Sequence, residues 1–214
     1  MRVIVFDLDG TLVDSRADLV QAVNAALEAE GFPQRPPEGV ARHIGRGAAH
    51  LVRMNLPESR RDEATVRRVL EAFRASYFEH LADTTRPYDG VPEALAALAE
   101  EARLGVLTNK PGEAARRLLE ALGLDGAFRL VLGGGDVPRL KPHPAGLAEA
   151  LRRLGGAPAQ SYYVGDLPLD VETARGAGCK AAVVTWGFGE AAELRAARPD
   201  RVVTSPMRLP ALAR

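Results

Sequence analysis

Val3-Ile4-Val5-Phe6-Asp7-Leu8-Asp9-Gly10-Thr11, close to the start of the chain, decides how the rest is read. Four apolar residues, three of them β-branched, run without alternation and stop at two carboxylates, a glycine and a hydroxyl. An unbroken apolar run of this length is the pattern of a strand buried on both faces, as in a parallel sheet covered by helices. The pattern recurs at Leu104 to Leu107, Leu130 to Leu132, Tyr162 to Val164, Ala181 to Val184 and Arg201 to Val203. Helical apolar spacings separate the later runs: Leu118, Leu119 and Leu122, then Leu147, Leu151 and Leu154. Strand alternating with helix predicts a doubly wound α/β core.

The spacing of the runs also exposes an insertion. The later strands follow one another at the roughly 30 residues of an ordinary βαβ unit, whereas Val5 and Val106 stand about 100 residues apart. Within that gap Leu19, Val20, Val23 and Leu27 mark one amphipathic helix, and Val66, Val69, Leu70, Phe73, Tyr77 and Leu81 a longer one. A further helix carrying Val91, Leu95 and Leu98 leads into the second strand and belongs with the sheet. The reading is a helical unit over residues 15–83 inserted into a core made of residues 1–14 and 84–214. Its hinges are expected at Val13-Asp14-Ser15 and Thr84-Thr85-Arg86-Pro87.

Composition bounds the function. In 214 residues, 46% are hydrophobic and 26% charged, the make-up of a folded globular chain. Lys+Arg and Asp+Glu both number 28, so no excess positive field draws in nucleic acid or an anionic membrane. The apolar run at the N-terminus is too short for a signal peptide, and no stretch approaches the ~20 apolar residues that span a bilayer. With one cysteine, Cys179, and hence no internal disulfide, the expected setting is a reducing cytoplasm. A monomer or homodimer is expected. Of the basic residues only Lys110, Lys141 and Lys180 are lysines, which singles these positions out as ones where a compact ammonium could be needed.

In open α/β sheets ligands bind beyond the carboxyl ends of the strands. The first strand run ends in Asp7-Leu8-Asp9-Gly10-Thr11 and the second in Thr108-Asn109-Lys110. The third leads to Gly133-Gly134-Gly135-Asp136 and then Lys141-Pro142-His143-Pro144, the fourth to Gly165-Asp166-Leu167-Pro168-Leu169-Asp170. Asp7, Asp9, Asp166 and Asp170 on one rim repel one another unless a cation binds or a proton is kept. Hard oxygen ligands with open positions suit Mg2+, which is commonly held by one or two carboxylates together with substrate phosphate. The set fits phosphoryl transfer on a small phosphorylated metabolite.

Asp7-Leu8-Asp9-Gly10-Thr11 resembles the DxDGT signature of the haloacid-dehalogenase superfamily, and Thr108, Lys141 in Lys-Pro-x-Pro, and Gly165-Asp166-x-x-x-Asp170 follow in that superfamily's order. A lone DxD is a weak signal; four ordered motifs on strand ends are a specific one. The resemblance implies a Rossmann-like core with a small helical cap, and the stretch Arg42 to Val52 with Thr108-Asn109-Lys110 resembles phosphoglycolate phosphatases. Carried over residue by residue, it makes Asp7 the nucleophile, forming an aspartyl-phosphate, and Asp9 the general acid and base. Mg2+ would be held by Asp7, the Asp9 carbonyl and Asp166. Gly10, Thr108 and the Asn109 amide would meet the phosphoryl group, Lys141 would neutralise charge on it, and Asp170 would orient Lys141 or a metal-bound water. One departure is Leu167-Pro168, where many relatives carry a small hydroxylated residue. A sugar-phosphate phosphatase or a β-phosphoglucomutase-type phosphotransferase on the same scaffold is the alternative.

Other candidates are weaker. Arg46, with the backbone of Gly45 and Gly47, is expected to reach a distal carboxylate on the substrate, because Arg binds carboxylates bidentately. Lys110, just before Pro111, reads as a solvated side chain ahead of a helix, with substrate contact second. Asp136 reads as a turn residue and Lys180 as surface. His43 and His50 stand seven apart, but two ligands are too few for a metal.

Overall fold

The structure is a computed structural model that describes residues 2–214. In chain order the elements are β1 (Arg2–Phe6), β2 (Val13–Asp14), α1 (Arg16–Ala29), α2 (Pro37–Ala41), α3 (Ala48–Asn55), α4 (Glu63–Glu79), β3 (Arg86–Pro87), α5 (Val91–Glu101), β4 (Ala102–Pro111) and α6 (Gly112–Ala121). They continue with β5 (Leu130–Gly134), α7 (Ala145–Leu154), β6 (Tyr162–Gly165), α8 (Pro168–Gly176), β7 (Lys180–Val184), α9 (Ala191–Ala196) and β8 (Arg201–Val203). No described helix is long and apolar enough to cross a membrane.

Six strands form one parallel sheet in the order β5-β4-β1-β6-β7-β8. All six expected strands are present, and Val3, Ile4, Val5 and Phe6 of β1 are wholly buried, as a doubly covered strand demands. The order explains where chemistry can collect. The chain winds outward from β1 through β4 to β5, then returns to β6 on the other side of β1 and winds the opposite way. At such a reversal the loops leaving adjacent strands diverge and open a crevice at their carboxyl ends. Asp7 and Asp166 directly follow β1 and β6, and Thr108 lies among the last residues of β4, all at this crevice.

One boundary differs from the sequence expectation. β4 does not stop at Leu107 but continues to Pro111, with its register against β5 shifting between Leu107 and Pro111. The irregular stretch is Thr108-Asn109-Lys110, and all three are buried. Lys110 is therefore not the solvated residue that the following Pro111 suggested; the extended strand carries its stem inward.

Between β2 and β3 lie α1, α2, α3 and α4, packed on one another and over the strand ends. The apolar stripe of α4 behaves as expected at Val66, Val69, Phe73 and Tyr77, all buried, while Leu81 lies beyond the end of the helix. Asp62 caps α4 by accepting from the Thr65 N–H at 3.0 Å. The chain enters and leaves this helical unit side by side, because Val13 and Asp14 pair antiparallel with Pro87 and Arg86. Next to that ribbon the buried Asp18 of α1 accepts hydrogen bonds from the backbone N–H and hydroxyl of both Thr84 and Thr85. A carboxylate from the outgoing limb thus clasps the returning one.

Candidate active site

Asp7 comes directly after β1, its N–H donating to the Val164 carbonyl of β6 at 2.8 Å. This sheet bond fixes the backbone of Asp7 between the two strands that flank the crevice. One carboxylate oxygen lies 2.8 Å from Lys141 Nζ, and the other, also buried, has no hydrogen-bond partner among the described residues. Lys141 reaches Asp170 Oδ1 at 2.7 Å, so its ammonium bridges two carboxylates. The other oxygen of Asp170 accepts the N–H groups of Asp166 and Leu167, closing the first turn of α8 as an acidic residue in that position does. Asp170 thus pairs with Lys141 through one oxygen and with the start of α8 through the other.

Asp166 is fully buried. It accepts from Thr11 Oγ1 at 3.1 Å and from the Phe188 N–H at 2.8 Å. Gly10 passes so close that a Cβ there would meet Asp166 Oδ2 at 2.3 Å, and its φ of +83° is one that L side chains rarely adopt. That is the physical need for glycine in Asp9-Gly10-Thr11. Burial, with the Asp170 and Asp7 carboxylates adding to it, pushes the Asp166 carboxyl well above its usual range. Burial likewise pushes Asp7 up to about 6, against the pull of Lys141. Buried carboxylates this uncomfortable without a cation are what a metal site leaves behind when its own charges are counted alone. Asp7, Asp166 and Asp170 each offer an oxygen within 4.8 Å of the others, and the unpartnered oxygen of Asp7 supplies a free ligand atom. The residues fit a hard divalent cation.

Asp9 is the second centre. Ser15 Oγ donates to its Oδ1 at 2.6 Å, and Lys110 Nζ lies 2.8 and 3.0 Å from its two oxygens. Each of the two acids after β1 therefore has its own buried lysine: Lys141 for Asp7, Lys110 for Asp9. Burial alone would push both ammoniums down, but the adjacent carboxylates more than offset it and hold both above their usual value. Both lysines stay charged.

Thr108 is buried beside these groups, its Oγ1 accepting the Lys110 N–H at 3.2 Å. The side-chain amide of Asn109 spans two segments. It donates to the carbonyls of Gly45 at 2.9 Å and Lys141 at 3.1 Å, and its oxygen accepts the Lys141 N–H at 2.8 Å. It ties the turn before α3 to the loop that carries Lys141, so the side-chain amide is already engaged within the protein.

The helical unit covers a small cavity, of about 40 Å³, over Asp7, Asp9, Thr108 and Lys110. Gly45 and Gly47 line it, but Arg46 between them does not: it is exposed, at a separate open pocket with His50, Pro142 and Pro168. The turn between two positive-φ glycines, Gly45 and Gly47, carries it away from the chamber its neighbours line. His43 precedes α3 rather than sharing a helix with His50; their rings meet edge to face at 6.0 Å, and burial and nearby arginines hold both below their usual pKa. Asp136 takes the Gly133 N–H at 3.0 Å and an Arg116 ion pair at 2.7 Å, which is the turn role expected. Lys180 is exposed.

Sequence reasoning missed Ser15 and Tyr77 as site residues. Ser15 looked like a hinge, and Tyr77 like one more residue of an apolar stripe.

The match to known proteins agrees with this geometry. Residues 4–184 match the family model for haloacid dehalogenase-like hydrolases, and the chain belongs to that family. Among curated relatives, a phosphoglycolate phosphatase of Aquifex aeolicus is 35% identical over 207 residues, covering 96% of this chain and 93% of that one. One of Chromobacterium violaceum is 40% identical over 200 residues, covering 92% and 90%. A crystal structure from Haemophilus somnus, described as a predicted phosphoglycolate phosphatase, superposes with a TM-score of 0.93 at 32% identity, covering 100% of this chain and 98% of that one.

Proposed function

We propose that this chain is a Mg2+-dependent phosphatase that hydrolyses a small phosphomonoester of the phosphoglycolate type through an aspartyl-phosphate. The observation that carries the reading is the pair Asp7 and Asp9, two residues apart after β1 and each held by its own buried lysine. Two carboxylates so placed divide the work of nucleophile and proton carrier.

Asp7 attacks phosphorus in line with the leaving oxygen. Lys141, held by Asp170, pairs with one carboxylate oxygen of Asp7, and the other, without a partner among the described residues, is left for the cation. Thr108 and the Asn109 N–H receive the phosphoryl oxygens, and Gly10 lets the backbone come close. Lys141 offsets the charge that builds on the transferring group. Asp9, steadied by Ser15 and Lys110, gives a proton to the leaving alcohol, then takes one from the water that opens the aspartyl-phosphate. Asp7, Asp166 and the Asp9 carbonyl would hold Mg2+, which supplies charge neutralisation and orientation of the phosphoryl group. Residues 15–83 act as the cap, and their apolar inner wall excludes bulk water from the acyl phosphate. The small chamber favours a leaving group of a few atoms over a hexose.

Phosphate release from 2-phosphoglycolate and a panel of phosphorylated metabolites, with Mg2+ or with EDTA, tests the reading. Release with Mg2+ that EDTA abolishes is expected; release that EDTA leaves intact, or none from any phosphomonoester, overturns it.

A further inference from the structure

The chamber has one polar corner that the chemistry of phosphoryl transfer does not account for. Leu19, Ile44, Leu51 and Phe73 make its cap-side wall. In the corner the side chain of Lys110 is only 2% exposed, with Nζ 4.6 Å from the centre of the Tyr77 ring. Tyr77 is 3% exposed, lines the same chamber, and its hydroxyl has no hydrogen-bond partner among the described residues. An ammonium has three donors, and the two contacts to Asp9 leave at least one unused. Lys110 is also the one cation among the described residues lining the chamber, Arg46 being turned outward. A buried hydroxyl without a partner, next to a cation with a donor to spare, is a cost that a bound anion removes. The α3 N-terminus adds to the positive potential there, since Gly47 and Ala48 line the chamber and no side chain caps the helix.

We propose that Lys110 and Tyr77 are the residues that bind a carboxylate on the leaving group and so select a short carboxylated phosphomonoester over a neutral one. The assignment rests on the phosphatase reading and adds the group that selects within it. Geometry sets the length of the substrate. A leaving oxygen in hydrogen-bond contact with Asp9 lies within two hydrogen-bond lengths, about 6 Å, of Lys110 Nζ. A carboxylate one carbon removed from the ester oxygen fills that gap. A neutral alkyl group of the same size would leave Tyr77 and the spare ammonium donor unpaired, and a site built for a polar group discriminates strongly against the analogue that lacks it.

The test compares kcat/KM for 2-phosphoglycolate and for ethyl phosphate, which lacks the carboxylate, with Mg2+ present. Wild-type protein is expected to prefer 2-phosphoglycolate by at least about 100-fold. Lys110→Met is expected to cut that preference by about 30-fold or more, chiefly through KM for 2-phosphoglycolate, and Tyr77→Phe by about 3- to 10-fold. The ratio is read from the active fraction alone, so partial loss of folding in Lys110→Met does not move it, and Tyr77→Phe keeps the ring that packs against Phe73. If Lys110→Met slows both substrates by the same factor, Lys110 serves only to pair with Asp9 and the proposal fails while the phosphatase stands. If only Tyr77→Phe leaves the preference unmoved, the assignment of the hydroxyl fails. If wild-type protein releases phosphate from neither substrate, the phosphatase reading falls and this one with it.

Discussion

The rim of strand ends and the helices above it face the same chamber with opposite chemistry. From the rim come Asp7, Asp9, Lys110 and Thr108, all buried, with Lys141, Asp166 and Asp170 packed behind them. From the helical unit come Leu19, Ile44, Leu51 and Phe73, with the Tyr77 hydroxyl as its main polar contribution. The contrast teaches how the work is shared. Charges on the rim hold one another in place, so little reorganisation is needed when charge moves in the reaction. The apolar lid strengthens every one of those interactions by keeping water out. Changes on the rim should therefore stop the chemistry, and changes on the lid should alter which substrate reaches it.

The sharpest test of that division is Asp9→Asn, which keeps shape and removes the carboxylate proposed to carry the proton. Steady-state kinetics should show kcat lower by about 10²- to 10⁴-fold with KM little changed. Loss of the same size from Phe73→Ala would erase the distinction between rim and lid.

The rim should also cost the protein stability when its cation is absent, and the lid should not. Asp7 and Asp166 both keep a proton to higher pH in the folded chain than in the unfolded one, Asp7 to about 6 rather than 3.8 and Asp166 further still. The folded state therefore binds the extra protons, and stability falls as pH rises through about 6 and beyond. Melting temperature measured in EDTA should drop across that range, and saturating Mg2+ should flatten the drop. A flat profile in EDTA would contradict it.

Between the two regions stands the Asp18 clasp. Asp18→Ala strands the donors of Thr84 and Thr85 and should lower unfolding free energy by about 2 to 4 kcal/mol. It should also speed hydrogen exchange at residues 84 to 86 before that of β1. Uniform loss of protection would show that the clasp serves the whole fold rather than the hinge. Smallest of all, Arg46→Ala should change kcat/KM for 2-phosphoglycolate by no more than about twofold, as for an exposed side chain outside the chamber.

Much of the rim was legible in the sequence because unbroken apolar runs locate parallel strands, and parallel strands deliver the residues at their carboxyl ends to one edge. That logic alone brings Asp7, Asp9, Thr108, Lys141, Asp166 and Asp170 together. It failed at Lys110, where Pro111 signals the end of an element while the strand and its register shift carry the side chain inward. The position of Arg46 outside the chamber was not legible for the complementary reason: the chemistry of Arg suits a carboxylate, but one residue of rotation in a turn sends a side chain to the other face. The partnership of Asp18 with Thr84 and Thr85 spans most of the inserted unit, and only the pairing of β2 with β3 brings the two limbs together. Tyr77 obeys the apolar period of α4 to the residue, and periodicity says nothing about where a hydroxyl at the end of a ring will point.

The most direct measurement for the central claim is to trap the covalent species. Protein mixed with substrate and Mg2+, quenched within a turnover and reduced with borohydride, converts an acyl phosphate to the corresponding alcohol at the residue that carried it. Peptide mass spectrometry should find that change at Asp7 and at no other acidic residue, and Asp7→Asn should abolish both the change and turnover. Reduction at Asp9 instead, or phosphate release from Asp7→Asn at the wild-type rate, would contradict the assignment of Asp7 as the attacking group.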